Sequence, residues 1–246
     1  DYDRSLRGEV SESALIRAYG VSKFGSRREH FLRANSWIQT EELSDLLPGL
    51  RDATSSFSGT LEWYDNFFQE TSNLTTFDAY LHLHARVNLE ALLNRLDSST
   101  MGASVEGRVP FTDHRLAEFL FGLPDAVKMS LHTKNDAKAL AEMNAFELDQ
   151  AGAIQTKRLL REAFKERVPE PILRRRKVSF PVPFLELLAG PLRPKVEEAV
   201  RAAPALSRLL GVEDLATLLP PSDSRSGLRA WLLVNLALAE QNQGLT

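Results

Sequence analysis

TFDAYLHLHARVNLEALLNRL, residues 76–96, is the stretch on which the fold turns. Phe77, Tyr80, Leu81, Ala85, Leu89, Leu92, Leu93 and Leu96 recur at steps of three and four, the spacing of one helix face. Thr75 or Thr76 offers a hydroxyl to cap the first turn. Downstream, residues 105–111 read as extended, and Pro110 argues against a central strand there. A second helix starts at Thr112 or Asp113, carries Leu116, Phe119 and Leu120, and stops at Gly122-Leu123-Pro124. A third covers 155–167 with Leu159, Leu160, Ala163 and Phe164 inward, and two more fall near 191–203 and 228–241. Residues 178–184 read as a further extended piece. Upstream, residues 1–36 are polar and basic around an apolar patch at Ala14, Leu15, Ile16, Ala18 and Tyr19. A helix is expected from Thr40 to a stop at Pro48-Gly49, and residues 54–60 read as loop. The pattern predicts a mainly α chain, with a helical and loop segment over 1–75 and a helical core over 76–246.

Composition narrows the function classes. The 246 residues are 43% hydrophobic and 26% charged, ordinary values for a globular protein. A net charge of -3 supplies no basic field for a nucleic-acid partner. There is no cysteine, which excludes disulfides and thiolate metal sites and suits a reducing cytoplasm. No apolar run approaches the roughly 20 residues of a membrane-spanning helix, so no membrane partner is expected. His82 and His84 lie on different helix faces and no HExxH occurs, so no histidine metal site is expected. The chain begins at Asp1 rather than Met, and the expectation is that further sequence precedes it.

Three stretches carry a resemblance. The first is LLNRLDSSTMGASVEGRVPFTDHRLAEF, residues 92–119, with Asp97, Thr100, Met101, Ser104, Glu106, Arg108, Pro110, Phe111 and Asp113. The second is QTKRLLREAFKERVPEPIL, residues 155–173, with Lys157 and Arg161. The third is RRRKVSFPVP, residues 174–183, with Lys177, and WLLVNL at 231–236 is a looser fourth. Together they resemble the C-terminal part of the synthetase domain of glutamine-dependent asparagine synthetases. The resemblance spans roughly 76–240. It implies the helical C-terminal part of an α/β adenine-nucleotide-α-hydrolase-like (PP-loop) synthetase domain.

Departures accompany the matches. Ser98, Thr112 and Ser179 stand where the family pattern has Arg, Leu and Gly, Glu90 stands where a Pro is common, and the chain between Lys128 and Lys157 is longer than expected. They fit a specialised relative, of the β-lactam synthetase or lasso-peptide cyclase type, as readily as an aspartate-using enzyme. They also motivate a second class, a degenerate non-catalytic helical module that binds a partner. No S-G-G-x-D-S loop occurs in the 246 residues. Such a loop cradles phosphates on backbone N–H groups. An N-terminal part carrying it, together with the glutaminase and the Mg²⁺ ligands, is therefore expected in cis or as a separate chain. The resemblance also leaves room for a homodimer.

The chemistry implied is adenylation of a substrate carboxylate by ATP, followed by amide formation with ammonia from glutamine. Negative charge grows on phosphate oxygens in the first step, so preorganised cations are wanted. Lys177, a point charge in a proline-framed loop, is the first choice as catalytic cation. Arg108, Lys157, Arg161 and Asp97 are candidates for binding substrate or pyrophosphate. Glu106 is the candidate acid that receives an ammonium or manages the proton of the attacking amine. Without the resemblance, Glu106 and Arg108 read as a local ion pair, RRRK as a solvated turn, and Asp113 as a helix cap. The expected geometry places Glu106 and Lys177 on one shared cavity.

Overall fold

The computed structural model describes residues 1–36, 38–39, 58–131, 137–175, 183–213 and 224–243. The helix expected from Thr40 and residues 178–182 of the extended piece at 178–184 lie outside them, and Phe184 opens a helix instead. Helices make up nearly all the regular structure, as expected. The strands among the described residues are two-residue pieces, Ser130–Leu131 and Ile154–Gln155, paired antiparallel. No described helix is long and apolar enough to cross a membrane. The chain divides into two compact units, Asp1–Ala34 with Trp63–Lys177, and Asn35–Glu62 with Val178–Thr246.

The decisive stretch is helical from Thr76 to Met101, but not uniformly so. An α-helix runs Thr76–His84, a π turn Ala85–Leu89, and a second α-helix Glu90–Met101. Thr75 caps the start by accepting from the Asp78 N–H at 3.1 Å. The π turn inserts a residue and so rotates the downstream face by roughly 100°. The buried face is not the expected stripe: Thr76, Ala79 and Leu83, the buried residues of the first half, all lie off it. Ala79 and Leu83 are completely buried, Leu83 against Phe31 and Phe67, whereas Leu89, Leu92 and Leu96 are exposed.

Residues 1–36 form more structure than their apolar patch announces. Helices Tyr2–Leu6, Glu12–Tyr19 and Arg27–Asn35 occupy them. Ser11 caps the second, and Gly20 ends it in the left-handed region (φ 75°), where a side chain would be strained. Their partner is the long segment before Lys157. Arg4 donates to the carbonyls of Met143 (3.0 Å) and Leu140 (2.7 Å), and Arg17 to that of Glu142 (2.8 Å). The Asp1 carboxylate is fully buried and takes hydrogen bonds from Arg4, the Tyr19 hydroxyl (2.8 Å) and the Ala145 N–H (2.6 Å). Helix Ala145–Gln150 has a complete capping box, Asn144 with Glu147. Helix Ser58–Glu70 covers residues that read as loop at its start. Ser58 and Gly59 are poor helix formers, but burial of Phe67 against Phe31 and Leu83 outweighs propensity.

The second unit packs helices Phe184–Ala189, Arg193–Arg201 and Pro204–Leu210 against the long helix Ser224–Gln243. Val200, Leu206, Leu210, Ala230, Leu233 and Ala237 fill its core. The buried Glu240 carboxylate accepts the N–H groups of Ala205 (2.9 Å) and Leu206 (2.7 Å), satisfying the free donors of the helix that starts at Pro204.

His30 is a buried titratable group of the first unit. It lies among the rings of Tyr2, Tyr19, Phe24 and Tyr80. The Tyr80 hydroxyl donates to the Arg27 carbonyl (2.9 Å), so it must accept from Nδ1–H of His30 (2.7 Å). Nε2 then carries a lone pair, buried and without a partner. Burial lowers the pKa of His30 from 6.5 to about 3.

Two predictions follow from this packing. In urea unfolding of the purified chain, Leu83→Ala should cost about 2–5 kcal/mol, whereas Leu92→Ala, beyond the π turn, should stay within about 0.5 kcal/mol. Equal costs would show that the second half is packed as tightly as the first. Between pH 6.5 and 3 the unfolded chain binds one more proton at His30 than the folded chain. Stability should therefore fall with pH in that window, by up to about 1.4 kcal/mol per unit. His30→Phe should remove that slope, and an unchanged slope would assign the acid sensitivity to other groups.

Candidate functional site

The helix Glu90–Met101 ends at Gly102, and the chain turns back along it. Ala103 and Val105 donate to the Thr100 carbonyl (3.0 and 2.9 Å), and Ser104 takes a positive φ of 56° to make the reversal. The Thr100 hydroxyl donates to Leu96 O at 2.9 Å. At Gly107 a Cβ would stand 3.1 Å from Thr100 Oγ1 and 3.4 Å from the Leu96 side chain, so the loop runs close against the helix there. Gly107 separates Glu106 from Arg108, and those two side chains meet as an ion pair at 2.8 Å. The pair is solvent-exposed, 68% for Glu106 and 81% for Arg108. Exposed pairs add little to stability. The local ion pair read from sequence therefore exists, but packing does not require it.

The motif continues as expected. Val109 is extended, Pro110 opens a 3₁₀ turn through Thr112, and helix His114–Phe121 follows. Thr112, one of the departures, uses its hydroxyl to donate to Val109 O at 2.8 Å, so it closes the turn. Asp113 caps the helix by accepting from Arg115 N at 2.9 Å. The Arg115 guanidinium holds the Asp113 carboxyl below the usual range. Asp97 is exposed on the last turns of the preceding helix. Helix His114–Phe121 is tied to helix Thr76–His84 by the Lys128–Asp78 ion pair, which also reaches Phe121 O (3.3 Å), and by stacking of His82 on Phe121. Sequence patterning missed that pair, because its partners are 50 residues apart.

The second motif is a shorter helix than expected, Arg158–Ala163, with Lys157 as its N-cap in the left-handed region (φ 54°). Among the described residues Lys157 and Ser104 are the two non-glycine positions of this kind, each at a cost on the order of 1 kcal/mol. Both fall in the family-like stretches, where strain of this sort tends to collect. Lys157 is exposed. Arg161 is half-buried and its guanidinium is already engaged. Nε donates to Thr156 O (3.1 Å) and Nη2 to Arg175 O (3.2 Å). Arg158 fixes the same helix to Ala126 O at 2.8 Å. Lys177, and with it the cavity expected to join it to Glu106, lies outside the described residues. A pocket of the second unit, lined by Val200, Arg201, Ala203, Pro204, Ser207 and Arg208, contains none of the motif residues. Among the described residues no three His, Asp or Glu side chains gather as metal ligands.

The family model for asparagine synthase matches residues 2–241. This chain belongs to the asparagine synthase family. The match takes in the helices of residues 2–35 as well as the three motifs, so family membership extends upstream of the resemblance read from sequence. Two relatives come from Bacillus subtilis (strain 168). Asparagine synthetase (glutamine-hydrolyzing) 3 is 36% identical over 90 residues, 37% of this chain and 11% of the relative. Asparagine synthetase (glutamine-hydrolyzing) 1 is 30% identical over 137 residues, 55% of this chain and 18% of the relative. The aligned parts thus span less than a fifth of either relative. No solved structure gives a significant match.

For this asparagine synthase family member, the exposure of Glu106 and Arg108 has a direct test. Glu106→Gln and Arg108→Ala should each unfold within about 0.5 kcal/mol of wild type, as surface substitutions do. A loss of several kcal/mol in a thermal melt would return the pair to a structural role.

Proposed function

We propose that this chain is the helical C-terminal portion of an ATP-dependent synthetase that adenylates a substrate carboxylate and forms an amide with ammonia from glutamine. The observation that carries the reading is the Glu106–Arg108 pair. It is presented to solvent by a loop packed tightly at Gly107, in a stretch matching the family motif, and packing gives it no purpose. The structured role of Thr112 weighs against a degenerate module, since that departure is accommodated by a hydrogen bond rather than left as a defect.

In this reading the carboxylate oxygen attacks the α-phosphorus of ATP, releasing pyrophosphate and leaving an acyl-adenylate. Ammonia then attacks the acyl carbon, AMP departs, and a proton leaves the nitrogen. Lys177 and Lys157 supply point charges toward phosphate oxygens, and Arg108 can fork onto two of them. Glu106 receives an ammonium or the proton of the attacking amine. Asp97 is the remaining acid on the side of Glu106 in sequence. The acidic side chains described do not form a Mg²⁺ cage, so the ion and the phosphate-gripping loop are assigned to an N-terminal part, in cis or as a second chain. The exposed Leu92, Leu96, Met101, Val105, Phe111 and Phe119 suit docking of that part, since a stretch this apolar is costly to leave in water. The acceptor is expected to be a carboxylate other than aspartate.

The test is ATP–pyrophosphate exchange by the intact enzyme with a panel of carboxylic acids. Exchange should require one of them, and Lys177→Ala should lower it about 100–1000-fold, the usual loss when one charge-stabilising donor is removed. Lys177→Arg should not fully restore it. Near-normal exchange in Lys177→Ala would remove the site assignment, and aspartate dominating the panel would refute the expected acceptor.

A further inference from the structure

Arg161 uses one edge of its guanidinium, Nε with Nη2, to hold two carbonyls at once. Thr156 O lies just before helix Arg158–Ala163, and Arg175 O just after helix Glu170–Arg174. The two are 19 positions apart in sequence, and the side chain ties them together. Arg175 has left the helix (φ -57°, ψ 128°), so its carbonyl has no partner within the helix and needs an external donor. The neighbouring cation does not compete for it, because Arg174 pairs with Glu170 on its own helix. Of the two edges a guanidinium can fork onto a phosphate, the Nε–Nη2 edge is committed here.

We propose that Arg161 is a positioning residue rather than a pyrophosphate contact. It rests on the function proposed above. By fixing the Arg175 carbonyl it anchors the chain two residues ahead of Lys177, the cation assigned to the phosphates. The αL turn at Lys157 is part of the same device, since the Arg161 N–H donates to the Lys157 carbonyl at 3.0 Å and starts the helix that carries the guanidinium. A planar fork is needed to span two acceptors at fixed separation, and an ammonium is a point charge that does not reproduce it.

The experiment compares Arg161→Ala and Arg161→Lys with wild type in the intact enzyme, with two readouts. The first is native-state trypsin cleavage after Arg175, Arg176 or Lys177, mapped by mass. It should be about tenfold faster in both variants, since cleavage follows local opening and the lost bonds are charge-assisted. The second is ATP–pyrophosphate exchange. Both variants should lose about 10–100-fold in kcat, the scale of a displaced catalytic group, while KM for ATP stays within about twofold of wild type. A raised, salt-sensitive KM with unchanged kcat would mark a phosphate contact and overturn the proposal. So would wild-type cleavage in Arg161→Ala, or full rescue of both readouts by lysine. Absence of exchange in the wild-type enzyme would instead overturn the functional reading, and the cleavage comparison would still decide whether Arg161 is the anchor.

Discussion

The π turn at Ala85–Leu89 is the constraint from which the rest of the first unit takes its layout. At 100° per residue Leu89, Leu92 and Leu96 fall on a different face from Ala79 and Leu83, and the π turn shifts the register of the second half by roughly one further residue. A single continuous helix thereby serves two ends. Its first half is buried among Phe31, Phe67 and their neighbours, and its second half carries the motif residues outward. The half-buried Lys128–Asp78 pair and the His82–Phe121 stack then fix the following helix to the buried end, so the hairpin at Ser104–Val109 hangs between supported elements.

That arrangement separates stability from chemistry. The charges that matter for folding are sequestered: the carboxylates of Asp1 and Glu240 each satisfy backbone N–H groups at the start of a helix. Among the described residues, the charges assigned to the proposed reaction, Asp97, Glu106, Arg108 and Lys157, are exposed. Arg161 stands between the two classes, a cation from a functional motif that gives its Nε and one Nη2 donor to the backbone.

The parts legible in sequence were those determined within a few residues. The helix after Thr75, the cap at Asp113 and the helices Arg193–Arg201 and Ser224–Gln243 follow from local spacing and hydroxyl or carboxylate caps, whereas the extended piece expected through Phe111 gives way to a 3₁₀ turn at Pro110. The helices of residues 1–36 were not, because their partners are the carbonyls of Leu140, Glu142 and Met143, more than 120 positions away. Helix Ala145–Gln150 does carry a local signal, the Asn144-x-x-Glu147 box. At the site, residue types were readable and their duties were not. Arg161 looks like an anion ligand until its two carbonyl partners are placed. The π turn has no sequence signature in the apolar spacing, since the stripe is drawn equally well without it.

The Asp1–Ala145 hydrogen bond links positions 144 apart. Helix Ala145–Gln150, at six residues, is too short to persist alone in water. One of its free N–H groups is satisfied only when the first residues of the chain arrive. Closing so large a loop is entropically uphill before it is rewarded. The helices of residues 2–35 and the 137–150 segment therefore depend on each other, and during synthesis the former must wait for the latter to be made. Until then Leu15, Tyr19 and Phe24 are without the segment that helps enclose them, and the nascent chain is at its most vulnerable to misassociation.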